Sequence, residues 1–257
     1  MKTLLCCVVG VATFITYSAR VEAFNFSVEP SRIELSVPAG KQRGKTVRVN
    51  NKRLDQLTHI KVYVRDVVLL PDGTNDFPPS GSTAWSCANW VKVVPEEFDI
   101  SPGKFSEVRV SIAVPEGMQG GYYAMLFFET TPSYVEKGIG VNFRIGAFVQ
   151  VTIPGTEIRQ ARLADMVVPN PRSTELHIFN DGNVLVRPKG KLRVSDAQGK
   201  RIAQIEINPD NLGILPKTLR KFPMTLDVLP RGTYLLRAEI DYGSSSLLVG
   251  EREVTVQ

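Results

Sequence analysis

Hydrophobic and polar residues alternate with a period of two along most of the chain. Val108, Val110, Ile112 and Val114 are separated by Arg109, Ser111 and Ala113. Ile60, Val62 and Val64 alternate with Lys61, Tyr63 and Arg65, and Val47 and Val49 with Thr46, Arg48 and Asn50. The longest run is Ile139, Val141, Phe143, Ile145, Ala147, Val149, Val151 and Ile153. Successive side chains of a strand point to opposite faces, so this whole run predicts one strand with a single apolar face. Tyr122 to Glu129 is a continuous apolar and aromatic run, the pattern of a central strand buried on both faces. Pro38-Ala39-Gly40, Pro71-Asp72-Gly73, Pro102-Gly103 and Pro115-Glu116-Gly117 punctuate the runs as turns. No helical stripe stands out apart from one turn around Ala161 to Met166.

Short strands with frequent turns predict an all-β fold of two tandem immunoglobulin-like β-sandwich domains. Ile153-Pro154-Gly155 ends the long alternating run and is the expected boundary between a first domain, 24–154, and a second, 155–257. The second half has its own series of strands at Glu175 to Phe179, Lys189 to Ser195, Arg201 to Ile207, Lys221 to Leu226, Gly232 to Asp241 and Leu247 to Val256. Asn180-Asp181-Gly182 and Gln198-Gly199 mark turns between them. The polar segment from Pro71 to Asn89, with Pro78, Pro79, Gly73 and Gly81, is expected to be a long, mobile surface loop.

The N-terminus departs from this pattern. Lys2 precedes an uncharged, mostly apolar run from Leu4 to Tyr17, and Val21-Glu22-Ala23 fits a small-residue cleavage site. A membrane-spanning helix needs about 20 apolar residues, so residues 1–23 are predicted to be a secretory signal peptide, removed on export to the periplasm or cell envelope. Cleavage takes two basic residues and one acid from the 31 and 26 of the full chain, leaving 29 − 25 = +4. It also leaves Cys87 as the last cysteine, so the exported chain has no internal disulfide and folds by core burial alone. Cys87 is expected to be a partly buried free thiol, with an intermolecular disulfide as the alternative.

Chemistry-bearing motifs are sparse. His59 and His177 fall one in each predicted domain, and no cluster of ligands has zinc spacing. There is no G-x-S-x-G elbow, and Phe143 breaks the G-x-G that starts at Gly138. Asp72 to Asp76 lacks the glycine and closing glutamate of a calcium loop. The chain is therefore expected to be no enzyme and to carry no cofactor or metal. Lys41, Arg43, Lys45, Arg48, Lys52 and Arg53 lie within thirteen acid-free residues. This predicts the solvated face of a hairpin, with an anionic ligand as the alternative; export argues against nucleic acid.

The first domain resembles the PapD-like periplasmic chaperones of pilus assembly. The stretches that carry the resemblance are "VEPSRIELSVPAG", "WVKVVPEEFDISPGKFSEVRVSIAVP", "GGYYAMLFFET" and "VNFRIGAFVQVTIPG", within about residues 24–154. The second half looks more like a generic bacterial immunoglobulin-like or fibronectin-like module. The resemblance implies two immunoglobulin-like domains in an L shape. It implies a partner that is an exported pilus or fimbrial subunit lacking its last strand, with an outer-membrane usher and a self-capping dimer as further partners. The chaperone would lend its long strand to the subunit, through Ile139, Val141, Phe143 and Ile145. A basic pair, Arg32 and Arg144, would anchor the subunit's C-terminal carboxylate. The competing reading is a non-enzymatic cell-envelope structural or binding module for another surface protein or a glycan. That module should have the 139–153 edge closed within its own sheet, whereas a strand donor leaves it partly unpaired.

Overall fold

The computed structural model describes residues 26–131, 142–227 and 229–256. The predicted signal peptide and the donor positions Ile139 and Val141 lie outside the described residues. The first eleven strands are β1 (Phe26–Glu29), β2 (Arg32–Ser36), β3 (Gln42–Asn51), β4 (Thr58–Arg65), β5 (Val68–Leu69), β6 (Asn75–Asp76), β7 (Val91–Val94), β8 (Glu97–Ile100), β9 (Phe105–Ala113), β10 (Gly120–Thr130) and β11 (Arg144–Ile153). One sheet has the order β1-β3-β9-β7; the facing sheet has the order β2-β11-β10-β4-β8. Every pairing is antiparallel except β2 with β11, which is parallel. The alternation predicted from sequence explains the core. Val47, Val49, Val108, Val110 and Ile112 from one sheet meet Ile60, Val62, Ala147, Val149 and Val151 from the other, all buried. On β10, Leu126 and Phe128 are buried on the inner side, and Tyr123 and Phe127 on the outer side, where Leu185, Leu215 and Phe77 pack over that face.

The second sandwich comprises β12 (Ala161–Asn170), β13 (Ser173–Asn180), β14 (Lys189–Asp196), β15 (Arg201–Ile207), β16 (Leu219–Thr225), β17 (Gly232–Asp241) and β18 (Leu248–Val256). Sheets β12-β13-β16 and β15-β14-β17-β18 enclose Leu176, Ile178, Leu192, Val194, Phe222, Leu236, Ala238 and Ile240. The helical turn expected around Ala161 to Met166 is absent. These residues pair with Asn180 to Leu176 as the start of β12, because the ladder to β13 satisfies their backbone.

The segment from Pro71 to Asn89 is not a free loop. Its first part is the tip and return strand of the β5–β6 hairpin, whose Pro71 carbonyl accepts a hydrogen bond from Lys221 N–H at 2.9 Å. Its second part is fastened by Asp66, which is wholly buried. That carboxylate accepts hydrogen bonds from Gly81 N–H at 3.0 Å, Thr83 N–H at 2.7 Å and the Ser86 hydroxyl at 2.5 Å. Cys87 follows directly and is wholly buried rather than partly so. Burial, reinforced by Asp66, pushes its thiol up, so the nucleophilic thiolate is suppressed. The basic cluster is divided between the two sides of β3: Arg43 and Lys45 share the side of Val47 and Val49 but are exposed, and Arg48 on the other side pairs with Glu107 at 3.2 Å and stacks on Phe105.

At the outer edge, His59 of β4 is clamped by two carboxylates of β8, Asp99 at Nδ1 (2.6 Å) and Glu97 at Nε2 (2.7 Å). The hydrogen bonds to Glu97 and then Asp99 hold its pKa above 6.5. A histidine with a raised folded pKa adds stability that is complete below the unfolded value and fades as pH rises through the folded one. His59→Gln should therefore be less stable than the wild type at about pH 5.5, with the gap in urea midpoint closing by about pH 9. A gap independent of pH would show that the ion pairs contribute nothing. Asp66→Ala should lose about 2–3 kcal/mol in urea unfolding, since two part-buried N–H donors and a hydroxyl lose their shared acceptor.

Candidate functional site: the outer face and free edge of strand β11

The alternation of β11 builds two surfaces at once. Its odd-numbered side chains enter the first core, and Arg144, Gly146, Phe148 and Gln150 point the other way. Arg32 of β2 lies opposite Phe148 and shares that outer face. Met125 and Phe127 of β10 and Tyr63 of β4 extend it.

Arg32 and Arg144 thus stand on one face, but they are not neighbours. Arg144 is four positions from the Phe148 that pairs with Arg32, about 13 Å along a strand. Gly146 lies between them. A Cβ there would come within 2.8 Å of Met125 Sδ and 3.1 Å of Phe127 Cε1, so only glycine fits without displacing the aromatic floor. The guanidinium of Arg144 lies 4.5 Å from the Phe127 ring centroid and donates to the Tyr63 hydroxyl at 3.5 Å. Tyr63 in turn donates to Glu129 at 2.5 Å. Burial, then Glu129, pushes the Tyr63 phenol up, and the bond to Tyr63 raises Arg144. Arg32 lies 3.9 Å from Glu34, which also takes Arg187 of the second sandwich at 3.2 Å.

The far edge of β11 is only half covered. β2 pairs with Phe148 to Thr152, starting where Phe148 N–H donates to the Ser31 carbonyl at 3.0 Å. Backbone groups of alternate residues face the same edge. The amide groups of Arg144 and Gly146 therefore point to the side where, among the described residues, no strand pairs. Beside this edge a hollow of about 440 Å³ opens between β1 and β11, lined by Phe26, Ser27, Val28, Lys52, Arg144 and Ile145. Of the predicted donor residues, Phe143 and Ile145 are described, and both pack against the first core.

The second sandwich closes over the lower end of the outer face. Buried Asn180 donates to the Val184 and Ile214 carbonyls at 2.8 and 2.9 Å and accepts from Gly182 N–H, shaping the turn read from Asn180-Asp181-Gly182. That turn presents Asn183 and Leu185 to β10. The Asn183 carbonyl accepts from Gly121 N–H at 2.8 Å, and Leu185 N–H donates to the buried Tyr123 hydroxyl at 2.5 Å. Gly120 has φ +82, and a Cβ on it would come within 2.6 Å of the Asn183 carbonyl oxygen. Val67, Tyr123, Leu185 and Leu215 make the apolar joint.

No family model and no curated protein matches the sequence. Solved structures do. A class 5 fimbriae chaperone, CfaA, is 15% identical with a TM-score of 0.52, covering 89% of this chain and 99% of that one. A chain from a chaperone–tip adhesin complex of CFA/I fimbriae biogenesis is 14% identical with a TM-score of 0.53 and the same 89% and 99% coverage. The fold is that of the fimbrial chaperones. The match to the chaperone fold spans both sandwiches, further than the first-domain stretches that carry the sequence resemblance.

Within this chaperone fold, His59 and His177 lie in different sandwiches and share no site. Among the described residues no group of three or more His, Cys, Asp or Glu could hold a metal. Sequence reasoning missed Tyr63, Phe127 and Glu129 around Arg144, because contacts between β4, β10 and β11 depend on strand order. It also missed Arg187 and Arg220, which come from the second sandwich. Tyr123→Phe should cost about 1–3 kcal/mol in chemical denaturation by stranding the Leu185 N–H. It should also widen the distribution of interdomain distances measured between spin labels on the two sandwiches.

Proposed function

We propose that this chain is a periplasmic, non-enzymatic chaperone that binds and caps pilus or fimbrial subunits, lending part of its long β11 strand and anchoring the subunit's C-terminal carboxylate on Arg32 and Arg144. The observation that carries this reading is the half-free edge of β11. A subunit lacking its last strand has an open groove and unpaired backbone groups, and both need covering. The amides of Arg144 and Gly146 offer main-chain hydrogen bonds at that edge, and the adjoining hollow leaves room for a partner's strand. Apolar residues at alternate positions up to Ile145 supply the side chains for such a groove. The similar solved chain from a chaperone–tip adhesin complex supports a fimbrial subunit as the partner class.

The carboxylate role rests on Arg32 and Arg144 sharing one face. Both are exposed, and an arginine fork pairs with a carboxylate through two charged hydrogen bonds. The envelope-module reading calls for a closed edge, which the pairing of β11 does not favour.

The test is capture from the native envelope by tagged wild-type protein and by an Arg32→Ala/Arg144→Ala variant, with the captured subunit identified by mass spectrometry and then titrated in pure form. The wild type should hold a small β-rich exported subunit, and the variant should bind it about tenfold to a hundredfold more weakly while keeping its unfolding midpoint. Equal affinity of the two would make the arginine pair structural. Absence of any such subunit would remove the chaperone reading.

A further inference from the structure

A second basic site lies where the sandwiches meet. A cavity of about 240 Å³ has Arg32 on the first sandwich and Arg187 and Arg220 on the second among its lining residues, together with Met125, Phe148 and Leu185; no acidic residue lines it. Arg220 is the unusual member. It is the second residue of β16, beneath the tip of the β5–β6 hairpin, and is only 8% exposed. A Cβ on Gly73 of that tip would come within 3.1 Å of Arg220 Nη2, so the hairpin is pressed onto the guanidinium. Nη1 donates to the Gly213 carbonyl at 3.1 Å. Nε is buried and has no partner among the described residues. Asp72, Glu206 and Asp210 line a separate hollow that also touches Arg220, but none of them forms an ion pair with it.

A buried guanidinium cannot discharge itself by losing a proton, and an unpaired buried charge is costly. Burial disfavours the charged form of Arg220, with no carboxylate to offset it. Of the other two arginines, Arg187 shares Glu34 with Arg32. Three guanidinium groups and one carboxylate leave the cleft with about two uncompensated positive charges.

We propose that Arg220, with Arg32 and Arg187, forms an oxyanion-binding site between the two sandwiches, where a carboxylate or phosphate-sized anion joins them. The anion's charge offsets that of the Arg220 guanidinium, and arginine groups from both sandwiches close on it, so occupancy stiffens the joint between them. The same chemistry can come from a soluble anion or from the C-terminal carboxylate of a bound chain. The chain-end form of this site rests on the chaperone reading, with which it shares Arg32; the soluble-anion form does not, because Arg220 and Arg187 lie outside the Arg32–Arg144 pair.

The test is thermal unfolding of the purified exported chain in chloride buffer of fixed ionic strength, titrated with millimolar inorganic phosphate. Parallel titrations use an N-acetylated neutral peptide with a free C-terminal carboxylate and the same peptide amidated. The wild type should show a saturable rise in Tm with phosphate or with the free-carboxylate peptide. A response to phosphate that the peptide does not share identifies a soluble anion. A response to the free-carboxylate peptide absent for its amidated twin identifies a chain end. Arg220→Met should lose the response and, without anion, unfold at a Tm no lower than the wild type, since an apolar side chain carries no unpaired charge. Arg187→Gln, at a more accessible position, should weaken the response at least tenfold and guards against a misfolded Arg220→Met. No saturable response in the wild type, or an undiminished one in both variants, would overturn the proposal.

Discussion

Strand β11 has to serve the core and the outer face with one period-two pattern, and the rest of the first domain is arranged around that constraint. Ala147, Val149, Val151 and Ile153 are buried on one side, so Arg144, Gly146, Phe148 and Gln150 must stand on the other. Shifting the register by one residue would drive arginine into the core and strip the outer face of its charge. The two pairings of β11 fix that register. Its ladder with β10 runs the whole length from Ile153 to Arg144, whereas its parallel ladder with β2 stops at Phe148. Among the described residues the strand is therefore paired along its whole length on one edge and only from Phe148 to Thr152 on the other.

The second constraint is the joint between the sandwiches. Gly120 and Gly121 let the 183–185 turn lie directly on β10, and the Tyr123 hydroxyl gives that turn a buried acceptor. The 68–76 hairpin reaches from the first domain to β16 through the Pro71 carbonyl. These contacts set the second sandwich against the lower end of the outer face and enclose Arg220 and Arg187 beside Arg32. The cleft is basic because arginines from distant parts of the chain converge there and, among the described residues, Glu34 alone forms ion pairs with them.

The strands were legible because burial on one face leaves a direct mark on the sequence. The alternations at 47–49, 60–64 and 108–114 and the continuous run at 122–129 each became a strand of the first sandwich, and the series from Glu175 onward became the second. Ala161 to Met166 was misread, since its uneven apolar spacing fits one helical turn as well as a strand with a register shift near Leu163. The segment from 71 to 89 was misread for a related reason. Its polarity and prolines describe a surface segment, but its fastening to Asp66 depends on a buried carboxylate that no local pattern distinguishes from an exposed one.

By itself the sequence determined the all-β class and the two sandwiches, because period-two alternation is a local property of a strand. It did not determine which strands are neighbours. Strand order decided that Arg144 rests on Phe127 and Tyr63, that Gly146 separates it from Arg32, and that part of the β11 edge has no paired strand among the described residues. The approach of the two domains decided that Arg220 is buried without a carboxylate. Those features arise from contacts between residues far apart in the chain, and their energies depend on distance and burial that spacing along the sequence does not encode.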